Sequence, residues 1–111
     1  MKIDVQQHGI VIVLRPHGAL AADDVEIFTR VMQDATDKTG GRVVVDMSDV
    51  PFLDSRGIET LLKQGAGQTG VNPPTFAALG ETCREALDLT EALPRLRTFD
   101  TVENAIRSHK R

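Results

Sequence analysis

The chain has no tryptophan and no tyrosine, and only one cysteine among its 111 residues. Trp and Tyr are the amphipathic aromatics that most often anchor an interface, so a partner surface is expected to be broad and without such an anchor. A lone Cys83 rules out an internal disulfide and a cysteine-built zinc site, and it reads as a small apolar core residue. The longest apolar run, residues 10–14, is far short of the roughly 20 residues that cross a bilayer, so no membrane insertion is expected. Met1-Lys2-Ile3-Asp4 is followed by no apolar stretch of signal-peptide type, and a cytoplasmic location is the expectation. With a formal net charge of -3 and no Lys/Arg stripe, nucleic acid is not expected as a direct partner.

Catalytic motifs are missing as well. There is no Gly-x-Ser-x-Gly elbow, no P-loop and no Gly-x-Gly-x-x-Gly. The run Gly65-Ala66-Gly67-Gln68-Thr69-Gly70 ends a helical pattern where a phosphate loop would begin one. His8, His17 and His109 fall in a turn, at a strand end and in the C-terminal tail, with no spacing that suggests a shared metal, and each is expected to be solvated. A serine nucleophile needs a neighbouring base held by an orienting group; no His sits beside the Ser55 turn, and the nearest candidate in kind, His17, lies on a different strand. The expectation is a non-enzyme with no cofactor and no metal.

What is present centres on residues 42–62. Val43-Val44-Val45 after Gly40-Gly41 reads as a buried central strand, since a strand covered on both faces has no reason to alternate. Asp46, Ser48 and Asp49 make a polar turn, and Ile58, Leu61, Leu62 and Ala66 then recur at helical spacing. The change of period falls at Asp54-Ser55. Both residue types are favoured helix N-caps, and at the carboxyl end of a central strand they stand where open α/β sheets usually meet ligands and partners. Gly57, in the first turn, is a poorer helix former than Ala by about 1 kcal/mol, and its bare backbone is expected to be approachable. A Ser hydroxyl, free amides and the positive end of a helix dipole together suit a phosphate. The outward face of this helix is expected to show Arg56, Glu59, Thr60, Lys63 and Gln64.

Around this stretch the pattern predicts an N-terminal hairpin, residues 2–6 and 10–14, turning at His8-Gly9, with Pro16 ending regular pairing. Residues 18–22 form a loop into an acidic helix start at Asp23-Asp24. Val25, Phe28, Met32 and Ala35 make that helix's apolar stripe, widened by Ile27 and Val31, and Gly40-Gly41 stops it. Further strands are expected at 75–79 and 96–99. A third helix follows Gly80 with Cys83, Ala86, Leu87 and Thr90 on one side. The last helix opens with a capping box from Asp100 to Glu103, packs through Val102, Ala105 and Ile106, and frays over 108–111. One α/β domain results, a mixed sheet of about five strands with four helices, with right-handed parallel crossovers after the hairpin.

The run from Val43 through Asp54-Ser55-Arg56-Gly57 to Leu62 resembles the signature of STAS domains, the fold shared by bacterial anti-sigma-factor antagonists and sulfate-transporter tails. The resemblance covers about residues 3–107 of a single domain, 1–111. It implies that Ser55, in an Asp-Ser-x-Gly turn, is phosphorylated by an anti-sigma factor that is a serine kinase of the GHKL type, with a serine phosphatase as a further partner. It implies a partner-binding set of Asp54, Ser55, Arg56, Gly57, Glu59, Thr60 and Lys63. Arg56 stands where sporulation-type antagonists have a small residue. The alternative roles it implies are a constitutive STAS subunit of a lipid-transport ABC transporter and a stressosome-type scaffold.

Overall fold

The computed structural model describes residues 1–110. The strands are β1 (Lys2–His8), β2 (Val11–His17), β3 (Val43–Asp46), β4 (Thr75–Ala77) and β5 (Thr98–Phe99), and the helices are α1 (Asp24–Thr39), α2 (Ser55–Gly65), α3 (Glu81–Leu89) and α4 (Val102–His109). They form one sheet in the order β1-β2-β3-β4-β5, with β1 antiparallel to β2 and every other pair parallel. Five strands, four helices and the mixed pairing agree with the expected architecture.

β3 lies at the centre, and its valines show why the sequence there does not alternate. Val43 and Val45 join a core with Phe28 and Met32 of α1, Leu61 of α2, and Cys83 and Leu87 of α3. Val44 joins a smaller core on the other face, with Val11, Val13, Ala77 and Ala105 of α4. The sheet therefore carries three helices on one face and one on the other. Phe28 and Phe76 are wholly buried, each contributing about 1.5–3 kcal/mol relative to exposure.

The stripe Val25, Phe28, Met32 and Ala35 is buried as expected. Val31 packs at its margin, but Ile27 remains exposed. At 100° per residue Ile27 lies about 120° from the centre of the stripe. Gly40 closes α1 in the left-handed region, φ 65°, as its place after the last periodic residue suggests.

Several boundaries differ from the sequence reading. The hairpin turns at Gly9-Ile10, with β1 running to His8, so Ile10 is an exposed turn residue and not the start of a strand. Pro16 sits inside β2 opposite Ile3. β3 pairs with β2 only through Leu14, so the proline's missing amide proton leaves no bond to β3 unmade. Ala66 is exposed just past α2. Gly65 lets α2 approach the core: a Cβ there would sit 2.5 Å from Leu96 Cδ2. β4 stops at Ala77 because Ala78 turns left-handed, φ 58°. A 3₁₀ turn at Leu93–Arg95 shortens β5. Thr101, not Asp100, caps α4, accepting from the Asn104 amide at 3.2 Å.

Two histidines are not simply solvated. His109 does not fray but closes α4, 6% exposed, with Nε2 3.2 Å from the Val43 carbonyl and 3.3 Å from the Thr75 hydroxyl. Burial pushes its pKa below the usual histidine value, against the opposing bond to Val43. His17 is held between Asp4 and Asp49, with Nε2 and Nδ1 at 2.7 and 2.8 Å from their carboxylates. Of the expected frayed tail, residue 111 lies outside the described residues.

Candidate functional site at the start of α2

The segment between β3 and α2 is fixed residue by residue. Met47 is buried and its amide donates to the Ala77 carbonyl at 2.8 Å. Asp46 Oδ1 accepts from the Ser48 amide at 3.0 Å. Val50 is buried, and its carbonyl accepts from Cys83 Sγ at 3.2 Å. Leu53 forms an isolated parallel bridge with Leu20, in which the Leu20 amide donates to Phe52 O at 3.2 Å and the Asp54 amide to Leu20 O at 3.4 Å. Leu20, expected in a loop, is fully buried.

Asp54 is extended, φ -91° and ψ -176°, and serves as the N-cap of α2. Its two carboxylate oxygens have different tasks. Oδ1 accepts from the Gly57 amide at 2.8 Å, within the helix. Oδ2 accepts from the Ala22 amide at 3.0 Å, thirty-two residues away in the loop before α1. The Gly57 bond first and the Ala22 bond next hold this carboxyl below the usual carboxylate range, against an opposing cost of burial that exceeds each further lowering by Arg56 but neither of the two bonds. Ala22 has φ 49°, a left-handed conformation that few non-glycine residues adopt. The Asp54 bond ties it in place.

Gly57 is buried, which corrects the expectation of an approachable backbone. A Cβ at this position would lie 2.1 Å from the Leu20 carbonyl oxygen. The absent side chain makes room for the loop before α1, and its amide is already taken by Asp54. Thr60 is also buried, 9% exposed, and not on the outward face; it borders a shallow groove of about 270 Å³ between α1 and α2, with Val25 and Thr29 across from it. Ser55 is the first residue of α2 and is exposed, as are Arg56, Glu59 and Lys63. Glu59 and Lys63 pair one turn apart at 3.5 Å. Of the seven residues singled out, four thus face outward side by side. Asp54 and Gly57 build the base beneath them, and Thr60 packs toward α1.

The resemblance already puts Ala21 and Ala22 near the expected partner surface, but the structural role of Ala22 and the exposure of Phe52 are not read from the sequence. For Ala22, nothing marks an alanine for a left-handed turn. Phe52 is 48% exposed three residues before Ser55, and its place in the Pro51-Phe52 turn, outside any periodic stripe, was the available sign. Among the described residues no group of three or more His, Cys, Asp or Glu is placed to hold a metal ion, and no helix is long and apolar enough to cross a membrane. Both ring nitrogens of His17 face carboxylates, so it is not bonded to Ser55. Chemically, the site is an exposed hydroxyl at the positive end of a helix, on a backbone anchored from two sides.

Similar folds occur in proteins of low sequence identity. An anti-sigma factor antagonist from Mycobacterium paratuberculosis superimposes with a TM-score of 0.85 at 20% identity, over 99% of this chain and 94% of that one. The antagonist SpoIIAA in its unphosphorylated form gives 0.77 at 18%, over 98% and 96%. Murine Solute Carrier 26 family member A9, an anion transporter, gives 0.76 at 19%, covering 95% of this chain and 18% of the transporter. A search of curated protein sequences finds no match. The family model of the STAS domain matches residues 2–105, and with that match running over nearly its whole length the chain belongs to the STAS domain family.

Proposed function

We propose that this chain is a non-enzymatic anti-sigma factor antagonist that binds an anti-sigma factor of the GHKL serine kinase type, and that phosphorylation of Ser55 switches this binding off. The observation that carries the reading is the division of labour at the start of α2. Asp54 does the capping, which leaves the Ser55 hydroxyl exposed and modifiable without loss of the cap. A phosphate would add about -1.5 to -2 charges at neutral pH. The helix dipole tolerates that charge within the domain, while an acidic or closely fitted partner surface does not. Arg56, Glu59 and Lys63 supply the polar rim around the switch, and a serine phosphatase would restore binding. The likeness to known antagonists along nearly their full length supports the role.

The likeness to part of an anion transporter gives a second reading, a domain docked permanently on transport machinery, for which Ser55 is only a neighbour of the cap. A pull-down with wild type and Ser55→Asp from the native cytoplasm, with intact-mass analysis of the wild type, separates the two. A kinase-fold partner that is lost with Ser55→Asp, or a phosphate mapped to Ser55, is the expected result. A transport protein retained by both forms, with no phosphate, overturns the switch.

A further inference from the structure

We propose a second docking surface, on the sheet face opposite α1, α2 and α3, that takes a lysine- or arginine-bearing amphipathic segment of a partner protein. α4 packs over β3, β4 and β5 and buries Val11 and Val13 of β2 with Ala105, so that only the polar β1 edge of that face is left exposed. An open groove of about 580 Å³ results, running between α4 and β1.

Its lining is sorted by chemistry. Val13 of β2, Val102 and Ile106 of α4 and Ala78 form an apolar floor. Opposite Val11, Val13 and Arg15, β1 places His8, Gln6 and Asp4 on the same face, so the far wall is polar throughout. Four carboxylates rim the groove, Asp4, Asp46, Asp100 and Glu103. Arg15 is the one permanent cation among the lining residues, and it is already engaged, 3.2 Å from Asp49 and 3.9 Å from Asp46. Arg84 reaches Asp100 only at 4.0 Å, and that aspartate is 95% exposed. Asp4 is itself bonded to His17 at 2.7 Å, so the carboxylates left to meet an occupant are Glu103 and the weakly paired Asp100 at the α4 edge of the apolar floor, which selects an occupant with an apolar stripe flanked by cations. The groove's apolar floor lies on the other face from the core that α2 joins, so docking there does not rest on the role of Ser55, although Asp46 and Ser48 place its rim at the start of the β3–α2 segment.

The test uses the full chain, ¹⁵N-labelled, titrated with a synthetic amphipathic Leu/Lys helix and, as control, its Leu/Glu counterpart. Amide shifts concentrated at Val13, Asp46, Ala78, Val102 and Ile106 with the Lys peptide alone are expected. Binding should weaken with added salt and fall about fivefold to tenfold in the double variant Asp100→Asn/Glu103→Gln, both exposed positions. Ser55→Asp should leave it unchanged. Equal binding of the two peptides, shifts centred on Phe52 or Leu89, an unaffected double variant or no binding would each overturn the proposal.

Discussion

Helices α2 and α4 begin in the same way and carry different loads. Each has an extended cap residue whose side chain accepts from the amide three positions on, Asp54 from Gly57 and Thr101 from Asn104. The α4 cap ends there, a local bond between exposed residues. The α2 cap goes further: its second oxygen holds Ala22, and Gly57 beneath it admits the Leu20 carbonyl. One cap closes a helix, whereas the other welds the helix to a loop from a different part of the chain. That is what allows Ser55 to be at once exposed and firmly placed.

The difference can be broken most severely at Gly57. Gly57→Ala should destabilise the domain by about 1–3 kcal/mol through overpacking against Leu20, although alanine is the better helix former by about 1 kcal/mol; urea denaturation reads this directly. Glu103→Ala, in the first turn of α4, should by contrast stay within about 0.5 kcal/mol. Next in size, Asp54→Ala should lower the melting temperature more than Thr101→Ala does, because two amides lose their acceptor instead of one. Hydrogen exchange at Ala22 should accelerate in Asp54→Ala and not in Thr101→Ala.

Acid sharpens the same contrast. The Asp54 carboxyl lies below its unfolded value, so its contribution is complete above the ordinary carboxylate range and is lost as the pH falls through the folded value. Denaturation curves across that range should be steeper in pH for wild type than for Asp54→Asn, with a remaining slope from Asp4, lowered mainly by its bond to His17. The hydroxyl cap of α4 has no such dependence. Thr101→Ala should cost about 1 kcal/mol at any pH in this range. Smallest of all, Ser55→Ala should change stability by less than about 0.5 kcal/mol, since the cap belongs to its neighbour; a larger loss would show that the hydroxyl shares the capping.

Much of this was legible from local pattern. Three valines without alternation located β3, the spacing of Val25, Phe28, Met32 and Ala35 located α1, and the change of period located the start of α2. What was not legible depends on distant contacts. Gly57 reads as a weak point of a helix until Leu20 is seen against it, and Thr60 reads as outward until α1 stands beside it. His109, near the end of the sequence, looks like a solvated tail residue, yet it is buried because α4 places it beside Val43 and Thr75. Short strands β4 and β5 were overrun for a different reason: an apolar run gives no sign of where a left-handed Ala78 or a 3₁₀ turn cuts it short.

The strictly sequential order of the sheet has a consequence for how the chain comes together. Every strand is laid beside the one synthesised just before it, so after the hairpin each pairing spans one helical crossover and no intervening strand, which keeps the entropy of closure lower than a rearranged order would. The helix-side core can grow from the N-terminus onward as synthesis proceeds. The opposite face cannot: Val11, Val13 and Val44 wait for Ala105, the last buried apolar residue to emerge. Until α4 arrives, a nascent chain carries a bare apolar strip across β2 and β3, and a chain truncated before α4 would keep it.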